Sequence, residues 1–263
     1  MTTRKSNRTK RTRRADRGNS MTATGRKTRT RDHRTPMGIR GFDALVDGGV
    51  PQGKCILLSG TPGTGKTIFS LEYIYQGAVR FKEKGLFVSF EEQAENLRAQ
   101  AAKFGWDYPL LEKQGIVTFL NIPVSEIKQN TVDEIVNFIR KNRIRRLVID
   151  SLSALAINSP TAHVKVTDIT AYSIQRFIYS FVNRLKSLRE VTSLLISQTQ
   201  EGQLSRDSVS EFVCDGIITI NYEALGGEYS RSLIVRKMRE VNNDEDVHPL
   251  EISKKGIIIH SLS

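Results

Sequence analysis

Residues 60–67 read Gly60-Thr61-Pro62-Gly63-Thr64-Gly65-Lys66-Thr67, and this run with its flanks constrains the fold more than any other feature of the chain. Before it stands Cys55-Ile56-Leu57-Leu58-Ser59, an apolar run with the make-up of a buried strand. After it Phe69, Tyr73, Ile74 and Gly77 recur at helical spacing, which predicts a helix from Ile68 to Arg80. A glycine-rich turn between a strand and a helix lets backbone N–H groups wrap phosphate oxygens, and the helix N-terminus adds the positive end of its dipole. In the pattern Gly-x-x-x-x-Gly-Lys-[Ser/Thr], Thr61, Pro62, Gly63, Thr64 and Gly65 form the cradle. Lys66 supplies a charge for the outer phosphates of a nucleotide, and the Thr67 hydroxyl is a ligand for Mg²⁺.

The rest of the body repeats this alternation. Leu86–Phe90 reads as a strand and Ala94–Phe104 as a helix, followed by a short strand over Ile116–Leu120. Thr131-Val132-Asp133-Glu134 reads as a capping box, with Val132, Ile135, Val136 and Ile139 as the buried stripe behind it. Leu147-Val148-Ile149-Asp150 is an apolar strand ending in an acid. Asp168–Arg189 is the longest helix, with Ile174, Phe177, Ile178, Phe181, Leu185 and Leu188 on one face. Ser193–Ser197 is another strand, and from residue 216 onward only strands follow, over 216–222, 231–239, 248–253 and 256–260. The expected class is α/β, a mostly parallel sheet flanked by helices on both faces and closed by C-terminal antiparallel strands, in one domain over residues 36–263.

Three sets of charged residues fit a nucleotide site. Asp150 has no packing reason to end an apolar strand, but a carboxylate there can hold Mg²⁺ beside Thr67. Glu91 and Glu92 end the strand 86–90, and strand C-termini line the ligand crevice of a parallel sheet. One of them can position and deprotonate an attacking water, although neighbours on a strand point to opposite sides. A solvated acid at a helix start is the plain alternative. Lys237 and Arg239 lie two apart in the strand ending at Arg239 and so share a face, an arrangement that suits a phosphate, including one on a neighbouring subunit's nucleotide. Solvated edge-strand charge is the competing reading. The four histidines show no ligand spacing.

The formal charge of +12 is concentrated at one end. Residues 1–35 hold 13 Lys/Arg against 2 acids, whereas residues 36–263 hold 27 against 26. A segment this polar cannot bury enough apolar surface to offset its ordering entropy, so a disordered basic arm is expected over 1–35. Such an arm can neutralise nucleic-acid phosphates without reading sequence. A tail with no partner, or translation starting at Met21 or Met37, are the alternatives. Cys55 and Cys214 belong to no Cys/His cluster and read as buried thiols of a reducing cytoplasm. No run approaches the roughly 20 apolar residues of a membrane span, and no membrane partner is expected.

With these residues assembled, the chain resembles the KaiC branch of the RecA-type P-loop ATPases. The likeness runs from Gly38-Ile39-Arg40-Gly41-Phe42-Asp43 and Gly48-Gly49-Val50-Pro51-Gln52-Gly53 into the phosphate loop. It continues through Phe90-Glu91-Glu92, Phe104-Gly105-Trp106-Asp107, Asp150-Ser151, Ser210–Gly216 and Lys237-Met238-Arg239. The resemblance implies a RecA-like core, ATP and Mg²⁺ as cofactors, and a homo-oligomer, often a hexameric ring, with ATP at subunit interfaces. It also implies a catalytic pair matching Glu91 and Glu92, and a Lys-x-Arg pair, Lys237 and Arg239, acting across the interface. The chain has one such domain where the clock protein of the family has two, so a clock role does not transfer. Gln198 stands where this branch would have an acid. The expected activity is Mg-dependent ATP hydrolysis by an oligomeric switch or regulator. The alternatives are a DNA-associated ATPase using the arm and the pore loops 156–168 and 200–211, and a nucleotide-dependent interaction module with little turnover.

Overall fold

Alternate residues of each central strand face opposite ways, and here both directions are apolar. Ile56 and Leu58 enter one core with Phe87, Val148, Leu194 and Ile218. Cys55 and Leu57 enter another with Leu86, Val88, Leu147, Ile149 and Leu195. A sheet buried on both faces needs helices on both faces, and the chain supplies them. The computed structural model describes residues 33–157, 167–199, 203–222 and 230–261. The arm over 1–32, and parts of both proposed pore loops (158–166 and 200–202), lie outside the described residues.

The elements in order are β1 (Arg34–Thr35), β2 (Val50–Pro51), β3 (Cys55–Gly60), α1 (Lys66–Arg80), β4 (Gly85–Ser89), α2 (Ala94–Ala102), α3 (Tyr108–Lys113) and β5 (Val117–Asn121). Then come α4 (Thr131–Asn142), β6 (Arg146–Asp150), α5 (Leu152–Ile157), α6 (Thr167–Lys186), β7 (Thr192–Gln198) and α7 (Ser210–Val213). Strands β8 (Gly216–Tyr222), β9 (Arg231–Met238), β10 (His248–Ser253) and β11 (Gly256–Ile259) close the chain. The nine-stranded sheet has the order β11-β10-β9-β8-β3-β7-β6-β4-β5. Its members from β8 to β5 run parallel, and β9, β10 and β11 add antiparallel strands at one edge. The α/β class and its mixed edge are as expected: a mostly parallel sheet between helices.

Four local expectations change. Arg34–Thr35 pairs with Val50–Pro51, and Thr35 Oγ1 lies 2.9 Å from Thr192 Oγ1, so the last two residues assigned to the arm belong to the body. The capping box does not form. Asn130 precedes α4, and Thr131 lies inside it with its hydroxyl accepting from the Lys128 N–H at 2.8 Å. The buried stripe behind it is as read. Strand β9 ends at Met238, with a bulge opposite Ile217/Ile218, so Arg239 lies beyond the strand. Helix α6 stops at Lys186 rather than Arg189.

Arg146 shows what the crossovers bury. Its side chain is fully enclosed, and its Nε pairs with Glu83 at 2.6 Å. Its terminal nitrogens donate to the carbonyls of Tyr73 and Pro36. A buried arginine survives only when paired and hydrogen-bonded in this way. Gly77 of α1 is required by it, because a Cβ there would lie 2.3 Å from Arg146 Cδ.

Candidate nucleotide site

Strand β3 delivers residues 60–67 at its C-terminal end, and the neighbouring parallel strands deliver the other candidates at theirs. Gly60 pairs with Gln198 of β7, and Ser89 of β4 pairs with Asp150 of β6. One row along the top of the sheet therefore holds the phosphate loop, Gln198, Asp150 and the Glu91-Glu92 turn. Glycine is required in the loop itself. Gly65 has φ +102 and a Cβ there would lie 2.9 Å from Ile252 Cδ1, while one at Gly60 would lie 2.3 Å from the Ile220 carbonyl oxygen.

Thr67 and Asp150, 83 residues apart, meet directly: Thr67 Oγ1 donates to Asp150 Oδ2 at 3.1 Å. Asp150 is buried. Its carboxyl is pushed up to about 7, chiefly by burial and further by Glu91 and Glu92, against the lowering effects of the Thr67 hydroxyl and Lys66. Lys66 is also buried, and its ammonium folds onto its own loop, donating to the Thr61 carbonyl at 2.8 Å. Burial lowers it to about 8, opposed by Asp150 and Glu91. Both groups lack a full complement of opposite charge, which is the condition a metal–phosphate pair would relieve.

Glu91 and Glu92 lie in the turn beyond β4, which ends at Ser89 rather than Phe90, and their side chains diverge. Glu91 is exposed and accepts from Gln198 Nε2 at 3.0 Å. Glu92 is half-buried and turns toward α2, accepting from Gln100 Nε2 at 2.7 Å. The turn is held by Ser89, whose hydroxyl accepts from the Glu92 N–H, and by Asn121, which donates to the Glu92 carbonyl. Ser153 fixes the end of β7 by accepting from the Gln198 N–H at 2.9 Å.

Lys237 and Arg239 do not join this group. Lys237 pairs with Ile217, which sits beside Leu57 on β3, three residues before Gly60. That places it about 10 Å down the sheet from the loop at the usual strand rise. Its ammonium donates to the carbonyls of Glu211 and Cys214 at 3.2 and 2.9 Å, and Arg239 pairs with Asp215 at 3.4 Å. Both cations thus have partners within their own subunit, which neither the phosphate reading nor the solvated edge-strand reading anticipates. The C-terminal carbonyls of α7 and the adjacent acid supply them. Two cations near the loop escaped the sequence reading. Arg231 donates to the Gly63 carbonyl at 3.3 Å, and Arg206 lines a 360 Å³ cavity with Pro62, Gln198 and Thr199. Neither sits in a motif, so only the fold reveals them.

The sequence model of the KaiC ATPase family matches residues 35–263. The circadian clock oscillator protein KaiC of Synechococcus elongatus is 32% identical over 234 residues, which cover 85% of this chain and 43% of that protein. The chain thus corresponds to less than half of the clock protein's length. A UPF0273 protein of Thermotoga maritima is 33% identical over 246 residues, covering 86% of this chain and 96% of its own. Among solved structures, a KaiC-like protein from Pyrococcus horikoshii superposes with a TM-score of 0.74 at 32% identity, covering 87% of this chain and 99% of that one.

Proposed function

The chain belongs to the KaiC family of ATPases, and from that premise we propose that it hydrolyses ATP with Mg²⁺ as an oligomeric switch in the cytoplasm. The observation that carries the reading is the Thr67–Asp150 contact, which joins the end of the phosphate loop to a buried acid on a non-adjacent strand. Among the described residues no group of three or more His, Cys, Asp or Glu is placed to hold a metal. A Mg²⁺ held by Thr67 and Asp150 would therefore take its remaining ligands from phosphate oxygens and water, which is its habit in nucleotide sites. When bound, it would neutralise charge on the transferred phosphoryl group.

The protein's own residues divide the remaining tasks. Backbone N–H groups of residues 61–65 and the start of α1 cradle the phosphates. Lys66 exchanges its Thr61 carbonyl for a phosphate oxygen. Glu91, oriented by Gln198, takes the proton of the attacking water, and Glu92 with Gln100 and Asn121 fixes the turn that carries it. Lys237 and Arg239 lie at the wrong end of the sheet to reach their own loop. In a ring of six copies they would act on the nucleotide of a neighbour. Residues 1–32, with 12 Lys/Arg against 2 acids, add a basic arm suited to nucleic acid.

Phosphate release measured with and without Mg²⁺, beside size measurement with and without ATP, tests the reading. Mg-dependent turnover by an assembly is the expected result. Tight ATP binding without turnover would replace it with a nucleotide-gated interaction module.

A further inference from the structure

The foot of the parallel sheet, away from the phosphate loop, carries two adjoining clefts. One, of 460 Å³, opens where β6 and β7 begin and is lined by Arg140, Arg143, Arg145 and Arg189. The other, of 500 Å³, lies between α4 and α6 and is lined by Arg140, Arg176 and Arg184. Arg140 is common to both, so they form one furrow. Its lining holds six arginines, no lysine and a single carboxylate, Glu190. Glu190 pairs with Arg145, and Arg184 pairs with Asp133 on the rim. Among the described residues no carboxylate is in ion-pair contact with Arg140, Arg143, Arg176 or Arg189, and all four are exposed. A body with a net charge near +1 has thus gathered unpaired guanidinium groups at one place.

Like charges so close repel, and the arrangement is relieved by an anion that spans them. Planar guanidinium forks suit phosphate oxygens in particular. Six arginines spread over two adjoining clefts suit a chain of phosphates better than a single one. Thr35, near the start of the described residues, contacts Thr192, whose neighbour Val191 lines the cleft.

We propose that this arginine furrow binds the phosphate backbone of double-stranded nucleic acid, independently of base sequence. Tyr179 is the one aromatic side chain in its lining, so base stacking contributes little. Because the phosphate loop lies at the other end of the sheet, nucleotide and nucleic acid can be held at once. The inference rests on the nucleic-acid reading of the arm for the class of partner, but on different residues.

The test uses full-length protein and a fluorescent 30-base-pair duplex of about that length, titrated over a range of salt. Arg140→Gln/Arg143→Gln/Arg189→Gln should weaken binding by roughly tenfold or more near 0.1 M salt. It should also reduce the log–log salt slope by about 2 to 3, one unit per lost phosphate contact. The matching Arg→Lys variant should keep most of the slope, which a packing defect would not allow. ATP binding should be unchanged in both. A second variant, with the 12 Lys/Arg of residues 1–32 changed to Gln, isolates the arm. Residual duplex binding by that variant, abolished when the three furrow changes are added, supports the proposal. An unchanged slope in the furrow variant overturns it while leaving the arm reading standing. So does complete loss of binding on neutralising the arm. Competition by polyglutamate as effective as by duplex overturns it in favour of an acidic protein partner. No duplex binding by the parent protein overturns both readings.

Discussion

The two ends of the parallel sheet carry charge in opposite ways. At the top, where the strands end, Lys66 and Asp150 are both buried, each displaced from its ordinary titration range by burial. At the foot, where the strands begin, Arg140, Arg143 and Arg189 stand in water with no carboxylate partner among the described residues. Buried charge costs several kcal/mol unless satisfied, so the groups at the top would gain from a small charged ligand of the kind proposed above. Exposed charge costs little singly and gains most from a large, repeating polyanion. Lys237 and Arg239 occupy an intermediate state: they are at the foot, but tied to carbonyls and Asp215.

The comparison breaks most visibly at the top. Glu91→Gln/Glu92→Gln should keep ATP binding and slow phosphate release by about 10²–10⁴-fold, the usual range for loss of a general base. Parental turnover would place the base elsewhere. Lys66→Ala should weaken ATP binding by about a hundredfold, the scale of a lost charged hydrogen bond in a buried cradle, as read by calorimetry. Near-parental affinity would remove the loop from the site.

Lys237→Ala/Arg239→Ala should lower turnover by about tenfold with a smaller change in ATP binding, since stabilising the transferred phosphoryl group is the task assigned to them. Mixing that variant with the Glu91/Glu92 variant should restore part of the activity, because some interfaces in a mixed assembly have both halves intact. No recovery, with subunit exchange shown separately, would confine the cations to their own subunit.

The smallest effect concerns a buried charge at neither end. Glu72 on α1 accepts from the Ile257 N–H at 2.7 Å and borders a 680 Å³ cavity with Arg40, Arg80, Lys254, Lys255 and Asp43. Burial raises it from 4.5 to about 7, against the Ile257 and Gln76 hydrogen bonds. The folded state therefore binds this proton more tightly than the unfolded chain. The resulting stability is fully present below about pH 4.5 and is lost as pH rises through 7. Glu72→Gln keeps an acceptor for Ile257 and removes the charge. It should stabilise the protein at pH 8 by about 1 to 3 kcal/mol and by less at pH 5, as measured by urea unfolding. Equal effects at both values would mean that the carboxylate titrates normally.

Much of the fold was legible because its signals are local. Apolar runs of five or six residues, a glycine-rich turn and helical stripes such as Val132, Ile135, Val136 and Ile139 each report their own segment. Misses came where a neighbour in space overrode the local preference. Thr131 looked like a cap, but Lys128 took its hydroxyl. Arg34 and Thr35 looked like arm, but Val50–Pro51 offered them a strand. Arg239 looked like strand, but β9 ends at Met238, and both the N–H and the guanidinium of Arg239 bond to Asp215.

Residue types and their order were enough to read the phosphate loop, the alternation that demands a two-faced sheet, and the concentration of positive charge in residues 1–35 beside a nearly neutral remainder. These follow from residue types and short spacings, which fix backbone conformation and burial within one element. Which distant residues share a site became visible only with the folded chain. The order β3-β7-β6-β4 sets Asp150 against Thr67 and Gln198 against Glu91, and the same crossovers bring Arg140 and Arg143 to the same cleft as Arg189. No local rule encodes that order. It depends on how the apolar faces of all the strands and helices are buried together.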